Sequence, residues 1–361
     1  MQQIIIDFGV LRLGDWEMPI RIYGYGLMLV LGFLVAIALA SWRARRAGEN
    51  PDAVTYCGIL ALIGGIAGSR LAYVAQHWQT QFADEPSPLA AILNISSGGL
   101  IYYGGVLGAM ILVIGYLAIK RLPIRRYLDI LGVSLMIGLA FGRTGCLLNG
   151  CCFGGPARED WALATHFPMY SKPLVKIDGR ENPYSQSTEM PTPPYLHQFQ
   201  IGRVDPPDEL IETVGHERFL IPPGELDERQ VALAETCHSH AVQPAQALGI
   251  LNALLIAGLL AAFYRLRTRE GQVFLLMLVL YAPARFVLES IRDDNPHNLA
   301  AGVLTHNQYT SLATFAVAVV LMLLLLRRLP ASAGPTWAQR LAADQATPPT
   351  PQSNKRSKKK R

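Results

Sequence analysis

The chain has 361 residues, of which 51% are hydrophobic and only 16% are charged, and its formal net charge is +5. Soluble domains carry about a quarter of charged residues, so this composition excludes an ordinary soluble globular protein and indicates a polytopic membrane protein. Apart from the C-terminal end, the basic residues form no patch with aromatic ones, which argues against a nucleic-acid partner.

The first 19 residues precede any long apolar stretch. They have neither the basic start nor the small-residue cleavage site of a secretory signal peptide. We therefore expect residues 1–19 to form a short extracytoplasmic arm.

Seven stretches are long and apolar enough to cross a bilayer as helices, which takes about 20 residues. They lie at about 22–41, 54–76, 99–119, 127–148, 244–264, 272–291 and 309–326. Lys and Arg cluster after the first, third, fifth and seventh stretches. Because basic residues are retained on the cytoplasmic side, this spacing predicts an all-α integral membrane protein with its N-terminus outside and its C-terminus in the cytoplasm.

The second and third spans combine glycines with polar side chains. Gly68 precedes Arg70 in the second span, and Tyr103 is followed by Gly104 and Gly105 in the third. Small residues let helix backbones approach closely, and arginine at membrane depth is expensive. Two interpretations stay open for these segments: a surface against which a lipid or peptide lies, or ordinary helix packing with interfacial anchors.

Arg143 lies near the end of the fourth span, between Gly142 and Gly145. A guanidinium group is a rigid fork of donors that matches phosphate oxygens. Its position predicts a buried anion site, for which a phospholipid head group is the natural ligand. A structural ion pair at a helix interface is the alternative.

The sixth span carries a second polar stripe. Tyr281, Arg285, Glu289 and Arg292 follow at intervals of four, four and three residues, so they share one helix face. Glu289 can pair with either arginine and reduce the cost of its burial, which would leave guanidinium donors free for an anion.

The long loop at 150–243 is rich in Pro, acidic residues and His, and we expect it to form a small extracytoplasmic head. An oxidising compartment would permit Cys237 to form a disulfide with Cys151 or Cys152. A zinc site that combines these thiols with His238 and His240 is the alternative, although the spacing matches no zinc pattern. We expect no metal or other cofactor.

The C-terminal segment 331–361 begins with Pro, Ala, Ser and Gly and ends in a run of Lys and Arg. This composition predicts a disordered cytoplasmic tail. The basic run would be attracted to an anionic leaflet, or it would serve only to reinforce the orientation of the last span.

The two arginine segments resemble the signatures of the prolipoprotein diacylglyceryl transferases of bacteria. That family carries a motif close to Gly-Arg-x-Gly-Asn-Phe-x-Asn-Gly-Glu and a second one, Tyr-x-x-x-Arg-Phe-x-x-Glu-x-x-Arg. The residues that match are Gly142, Arg143, Gly145, Asn149 and Gly150, then Tyr281, Arg285, Phe286, Glu289 and Arg292, with Tyr25 to Leu27, Gly68, Arg70 and Tyr73 in the first two spans. The similarity covers most of residues 20–326.

Three departures from the family pattern concern groups that can carry a proton. Tyr103 occupies the position of the family's histidine, Cys146 that of its asparagine, and Cys151 that of its glutamate. A further family motif, His-Pro-Ser-Gln-Leu-Tyr-Glu, appears as residues 243–249 without its histidine and glutamate, and it ends here in Gly249.

The resemblance implies a transferase domain of seven spans at 20–330 that includes the 150–243 head. It implies transfer of the diacylglyceryl group from phosphatidylglycerol to the lipobox cysteine of a prolipoprotein, in a bacterial inner membrane and among its lipids. A related transferase with another lipid or acceptor, or a non-catalytic lipid-binding or lipoprotein-binding protein, is the alternative. The implied catalytic residues are Arg143, Arg285, Tyr103 and Tyr281. The implied substrate-binding residues are Tyr25, Arg70, Gly104, Gly105, Gly142, Gly145, Asn149, Glu289 and Arg292.

Overall fold

The structure is a computed structural model that describes residues 3–13, 16–83, 87–94, 98–172, 175–176, 191–294, 304–332 and 334–346. The chain divides into two compact units. Unit 1 comprises residues 1–38 and 131–330, and unit 2 comprises residues 39–130 and 331–361.

Helices dominate the described part of the chain. In chain order they are α1 (Gly24–Arg46), α2 (Pro51–Gln76), α3 (Pro88–Leu93), α4 (Tyr102–Ile119), α5 (Ile124–Asn149), α6 (Pro193–Gln200), α7 (Glu228–Thr236), α8 (Ala245–Leu266), α9 (Gln272–Ile291), α10 (His306–Arg328) and α11 (Trp337–Ala346). Seven of these, namely α1, α2, α4, α5, α8, α9 and α10, are long and apolar enough to cross a membrane. They coincide with the seven predicted stretches, which confirms a mostly helical protein with seven membrane-competent helices; the side on which each terminus lies stays a prediction.

Short strands lie outside the seven membrane-competent helices. Strands β1 (Ile4–Leu13) and β2 (Trp16–Tyr23) pair antiparallel, and β3 (Val175–Lys176) runs parallel to β1. Runs of β-branched residues such as Ile4 to Ile6 favour the strand. Asp7 and Arg21 form a buried ion pair across β1 and β2 at 3.3 Å. The predicted N-terminal arm is therefore a hairpin.

Unit 1 includes the predicted head. A hydrophobic core forms there from Met169, Tyr170, Tyr195, Leu210, Leu226 and Ala234. A hairpin of β4 (Ile211–Val214) and β5 (Glu217–Leu220) accompanies this core, and a capping box at Asp227 begins α7. The buried core shows why this long loop is compact, which supports the interpretation of 150–243 as a head.

In unit 1, membrane helices that are consecutive along the chain pack against each other. Helix α9 contacts both α8 and α10, so its polar face is covered on two sides. Near the middle of α5, Gly138 lies against Ala36 of α1. Pro283 within α9 removes one backbone donor from the helix just before Arg285.

Unit 2 is built on the close approach of α2 and α4. A Cβ atom on Gly64, Gly68, Gly104 or Gly108 would overlap the backbone of the facing helix. Only glycine permits backbone contact of this kind. The glycine pairs therefore explain how the two helices pack.

The predicted disorder of the tail is wrong for its first part. Helix α11 lies at 337–346, and the backbone N–H of Ala338 donates to the carbonyl of Gly48. Buried Arg126, which pairs with Glu49, also donates to the carbonyl of Gly334. These bonds hold the segment against unit 2 although its composition is polar. The basic run at the end of the chain lies outside the described residues.

Candidate active site

The polar stripe of α9 forms a buried ion cluster around one carboxylate. Glu289 has no exposed side-chain surface, and its Oε2 atom lies 2.8 Å from Nη1 of Arg285 and 3.3 Å from Nη1 of Arg292. Because the three residues are spaced i, i+4 and i+7, one helical face brings them together as the sequence predicted. A buried carboxylate with two arginines compensates the burial of charge.

The other oxygen of Glu289 is held by residues that the sequence analysis did not single out. Its Oε1 atom accepts from Nδ2 of Asn307 at 2.8 Å and from Oγ1 of Thr305 at 3.4 Å. Thr305 is also the N-cap of α10, where it forms a capping box with Gln308. A capping signature of Thr followed three residues later by Gln is visible in the sequence and locates this end of α10.

Arg292 uses its guanidinium group mainly within the protein. Its Nε and Nη2 atoms donate to the two carboxylate oxygens of Asp294, both at 2.9 Å. Asp294 in turn accepts from the backbone N–H of Cys152 at 3.1 Å. Arg292 therefore joins the end of α9 to the turn after α5. This geometry favours a positioning role for Arg292 over direct contact with a ligand.

Arg143 differs from the other two arginines because, among the described residues, no carboxylate neutralises its positive charge. Among the described residues, Arg143 has neither an ion pair nor a hydrogen bond, although its side chain is partly buried. Its side chain passes over Gly249 of α8: a Cβ built there would lie 3.2 Å from Cδ and 3.4 Å from Cγ of Arg143. In the family pattern that the sequence resembles, Gly249 takes the position of a glutamate, and glycine brings no side-chain anion to Arg143.

The charged and polar groups around Arg143 come from α5, the turn after it, and α9 with its C-cap residue. Electrostatic interaction links it to Tyr281, Cys146, Cys152 and Arg292. Three arginines (Arg143, Arg285 and Arg292) face two carboxylates (Glu289 and Asp294), so the cluster has an excess of positive charge. An arrangement of this kind binds an anion such as a phosphodiester.

Two predicted aromatic residues and two predicted glycines border the same cluster. Tyr25 packs against Gly145, where a Cβ would lie 3.0 Å from Cδ2 of the tyrosine ring. Tyr25 also lies within electrostatic range of Arg143. A Cβ on Gly142 would meet no described atom within 4 Å, so this helix surface is open. The structure thus brings Tyr25, Gly145 and Tyr281 around Arg143.

Three thiols gather at the end of α5. The sulfur atoms of Cys146, Cys151 and Cys152 all lie within 4.8 Å of one another. Hydrogen bonds from the Cys146 and Cys151 thiols, with the positive charges of Arg292 and Arg143, lower the pKa of Cys152 despite its burial.

Asn149 lies directly before this turn. Its side chain interacts with the thiol of Cys151, and its backbone carbonyl accepts from Nε2 of Gln3 at 3.2 Å. The predicted substrate-binding residue Asn149 is therefore placed beside the thiols and tied to the N-terminal arm.

The predicted disulfide from Cys237 to Cys151 or Cys152 is not formed in this structure, in which all five cysteines are free. Cys237 instead packs against the hydrophobic core of the head, and its thiol lies 3.5 Å from the carbonyl of Leu233. The alternative zinc site is not assembled either. His238 contacts the carbonyl of Thr236, and His240 lies between Glu159 and the carbonyl of Arg203.

Arg70, in unit 2, has a structural environment of its own. All five of its N–H donors are taken by backbone carbonyls at 2.7 to 3.1 Å. The acceptors are Ala91, Ile92, Asn94, Gly98 and Gly99. No guanidinium donor is left for a ligand, so the geometry favours a role in fixing the segment before α4 over the predicted substrate contact.

The remaining predicted residues lie at the start of α4. A Cβ on Gly104 would overlap Ala72, and one on Gly105 would overlap Ser69, so packing against α2 accounts for both glycines. Tyr103 is partly exposed, and its ring meets that of Tyr102 edge-on with centroids 5.5 Å apart. Its predicted role toward an acceptor thiol stays a prediction.

Comparison with known proteins gives one consistent family. A family model described as prolipoprotein diacylglyceryl transferase matches residues 15–324. A phosphatidylglycerol--prolipoprotein diacylglyceryl transferase of Rhodopirellula baltica is 38% identical over 44% of this chain, but the alignment spans only 32% of that relative. Proteins of the same name are 25% identical in Clostridium tetani (83% of this chain, 92% of the relative) and 27% identical in Corynebacterium glutamicum (93% and 90%).

Proposed function

The chain belongs to the prolipoprotein diacylglyceryl transferase family, and on this premise we propose that it transfers the diacylglyceryl group of phosphatidylglycerol to a prolipoprotein at the arginine cluster. It is a multi-pass membrane protein, and a bacterial inner membrane is the proposed location. The proposed acceptor is the lipobox cysteine that follows the signal peptide. The product of the proposed reaction is a thioether, and glycerol phosphate is the leaving group.

The observation that carries the assignment of the site is the contrast between Arg143 and its neighbours. Arg285 and Arg292 share Glu289, and Arg292 is also paired with Asp294. Among the described residues, no acidic side chain neutralises Arg143. A partly buried arginine without an anion has a strong preference for one, because its donors lose water without gaining a partner. The phosphate of the lipid supplies that anion.

Arg285 is proposed to act together with Arg143 on the phosphate. Its Nη1 atom lies 2.8 Å from Glu289, but no hydrogen-bond geometry is formed there. The pair therefore compensates charge without fixing the direction of the guanidinium group. During transfer, negative charge accumulates on the leaving phosphate oxygen, and preorganised guanidinium donors stabilise charge of this kind.

The reaction forms one bond and breaks one bond. The sulfur of the acceptor cysteine attacks the carbon of the diacylated glycerol that bears the phosphate ester. The C–S bond forms there, and the bond from this carbon to the phosphate oxygen breaks. The electron pair of that bond leaves on the phosphate oxygen of glycerol phosphate. Because the thiolate is the nucleophilic form of cysteine, the acceptor must lose its proton before or during the attack.

Three tyrosines are proposed to have different roles in the reaction. Tyr281 interacts with Arg143 and would orient it toward the phosphate. Tyr25 would border the lipid against the Gly145 surface of α5. Tyr103 is assigned only from its place in the family pattern, where it stands for a histidine. A phenol hydroxyl can donate and accept hydrogen bonds, so we assign Tyr103 the orientation of the acceptor.

The test is complementation of a bacterial strain depleted of its own diacylglyceryl transferase, with lipoprotein processing read by gel shift. The wild-type chain should restore processing. Arg143→Ala should not restore it, although the variant should insert into the membrane and have the melting temperature of the wild type. Arg158→Ala is the matched control, because Arg158 forms an exposed pair with Asp160 in the head. Processing by Arg143→Ala would overturn the assignment of the phosphate site.

A second arm separates a change of substrate from a loss of activity. The purified wild-type chain is given phosphatidylglycerol labelled in its acyl chains and a synthetic lipobox peptide. Label on the peptide would support the transfer directly. No label with this peptide, in a protein that binds the lipid with an Arg143-dependent affinity, would favour another acceptor or a binding role.

A further inference from the structure

The turn that follows α5 brings three cysteine side chains together. Gly150 and Cys152 both adopt the left-handed backbone conformation, with φ of 76° and 59°. Glycine does so freely, but a residue with a side chain costs of order 1–3 kcal/mol there. The strained conformation of Cys152 places its sulfur within 4.8 Å of those of Cys146 and Cys151.

The backbone that carries the thiols is held by groups from two other helices. Nε2 of Gln246, in the first turn of α8, donates to the carbonyl of Cys151 at 3.0 Å. The N–H of Cys152 donates to Asp294, which is anchored on Arg292. These contacts fix the turn after α5 before any ligand arrives. Preorganisation of this kind is typical of metal sites, whose ligands depend on a supporting shell.

The donor atoms define the class of metal. Three sulfurs without a carboxylate among them exclude Ca²⁺ and Mg²⁺, which require oxygen ligands. Zn²⁺ binds thiolates at about 2.3 Å with tetrahedral geometry, which sets the sulfur atoms about 3.8 Å apart. The three sulfur atoms lie within 4.8 Å of one another, an upper limit about 1 Å above that spacing. Three protein ligands on zinc leave a fourth position for a substrate.

The surroundings balance the charge of such a site. Three thiolates and one Zn²⁺ carry a net charge of −1, and electrostatic interaction links Cys152 to Arg292 and Arg143. The same arginines border the proposed phosphate site. A metal held at the thiols would therefore lie next to the group that leaves in the reaction.

We propose that Cys146, Cys151 and Cys152 bind one Zn²⁺ ion whose fourth position takes the acceptor cysteine as a thiolate. The binding of zinc is argued only from the geometry of the thiols. The binding of the acceptor cysteine to that zinc, called the acceptor half below, rests on the proposed function. The site replaces the sequence expectation that no metal is bound. It also gives this chain a way to deprotonate the acceptor, although the family's histidine and glutamate are absent.

The step is balanced without a further reactant. When the acceptor thiol binds zinc, its proton is released to water. The zinc-bound sulfur then forms the C–S bond to glycerol, and the electron pair of the broken C–O bond leaves with glycerol phosphate. No atom is oxidised or reduced.

Metal binding is tested on the full-length enzyme in detergent, without turnover. The protein is stripped with a chelator under reducing conditions and reloaded with Zn²⁺, and its metal content is measured by mass spectrometry. Wild type and Cys237→Ser should bind about one zinc per chain, whereas Cys151→Ser and Cys152→Ser should not. Retention of stoichiometric zinc by a Cys146→Ser, Cys151→Ser, Cys152→Ser triple variant would overturn the site.

A spectroscopic arm uses the wild type alone and does not depend on how the variants fold. Co²⁺ in place of zinc should give the intense sulfur-to-metal charge-transfer band of a three-thiolate, four-coordinate site. A cobalt spectrum without thiolate bands would overturn the proposal. A disulfide between any two of the three thiols in protein purified without oxidant, together with no zinc uptake after reduction, would overturn it as well.

The activity arm separates the two hypotheses. Stripped wild type should lose transfer to the lipobox peptide and regain it with Zn²⁺. If stripped protein transfers at the full rate, the catalytic role of the metal falls and the proposed function stands. If zinc-loaded protein binds the metal but transfers to no lipobox peptide, the acceptor half falls with the proposed function, and the zinc site stands.

Discussion

Gly249 of α8 lies directly against the side chain of Arg143 in α5, so that a single added carbon would stand 3.2 Å from Cδ of the arginine. The glycine thereby leaves Arg143 room to extend along the helix. It also leaves the guanidinium group without the carboxylate that the family pattern has at this position. The contact links the change from the family's glutamate to Gly249 with the availability of the Arg143 guanidinium group for an anion.

Gly249→Ala should reduce the rate of transfer by up to about ten-fold, because a forced change of rotamer costs about 0.5–1.5 kcal/mol. The folded state should be unaffected, since alanine favours the helix. The matched control is Gly258→Ala on the same helix, where a Cβ would meet no described atom within 4 Å. Equal rates for the two variants would show that Arg143 does not need this space.

Glu289→Gln should destabilise the protein strongly. The change removes the carboxylate that pairs with Arg285 and leaves Arg292 with Asp294 alone, a loss of about 3–5 kcal/mol for a broken buried pair. The melting temperature of the purified protein in detergent measures it. Glu209→Gln is the control, because Glu209 pairs with Arg229 at an exposed site in the head and should contribute less than about 1 kcal/mol. A melting temperature within the error of wild type for Glu289→Gln would contradict the cluster.

Arg70→Lys should behave as a structural change. Lysine cannot replace five N–H bonds to carbonyls, and charged hydrogen bonds contribute about 1.5–3 kcal/mol each. We expect a loss of at least about 3 kcal/mol in unfolding free energy and an unchanged apparent affinity for phosphatidylglycerol in the fraction that remains folded. Arg45→Lys at the exposed end of α1 is the control. A raised KM for the lipid at unchanged stability would instead assign Arg70 to the substrate.

Glu159 gives the head a dependence on pH. The backbone N–H of Ala241, with His240 and His166, lowers the pKa of Glu159 below its ordinary value. A lowered folded-state pKa adds stability above the unfolded value of about 4.3 and loses it as the pH falls through the folded value. Glu159→Gln should thus lower the melting temperature at pH 7, and the difference from wild type should shrink as the pH falls below the unfolded value of about 4.3. Asp160→Asn serves as the control, and a difference that is as large in acid as at pH 7 would contradict the charge effect.

The membrane helices and the α9 stripe could be predicted because both depend on local periodicity. Apolar length identifies a span, and the spacing of Arg285, Glu289 and Arg292 places them on one helical face whatever packs against it. The partners of Glu289 could not be found in this way. Thr305 and Asn307 are 16 and 18 residues further along the chain, and only the packing of α10 on α9 brings them there.

The arrangement of the cysteines could not be predicted from the sequence. Pairing Cys237 with Cys151 or Cys152 assumed that the loop ends meet through a disulfide, but the thiol of Cys237 is used as an apolar group in the head core. The convergence of the other three depends on a left-handed conformation at Cys152, which no residue preference predicts. The acceptors of Arg70 could not be predicted for a related reason: a buried arginine indicates oxygen acceptors, and backbone carbonyls serve as well as phosphate.

Asp294 accepts bonds from Arg292 and from the backbone of Cys152, and so it couples the ends of α9 and α5 mechanically. A pull on the head that displaces one helix end is transmitted to the other through a single carboxylate. The turn that carries the thiols and the arginine cluster therefore depend on the same side chain, and loss of Asp294 would release both helix ends at once.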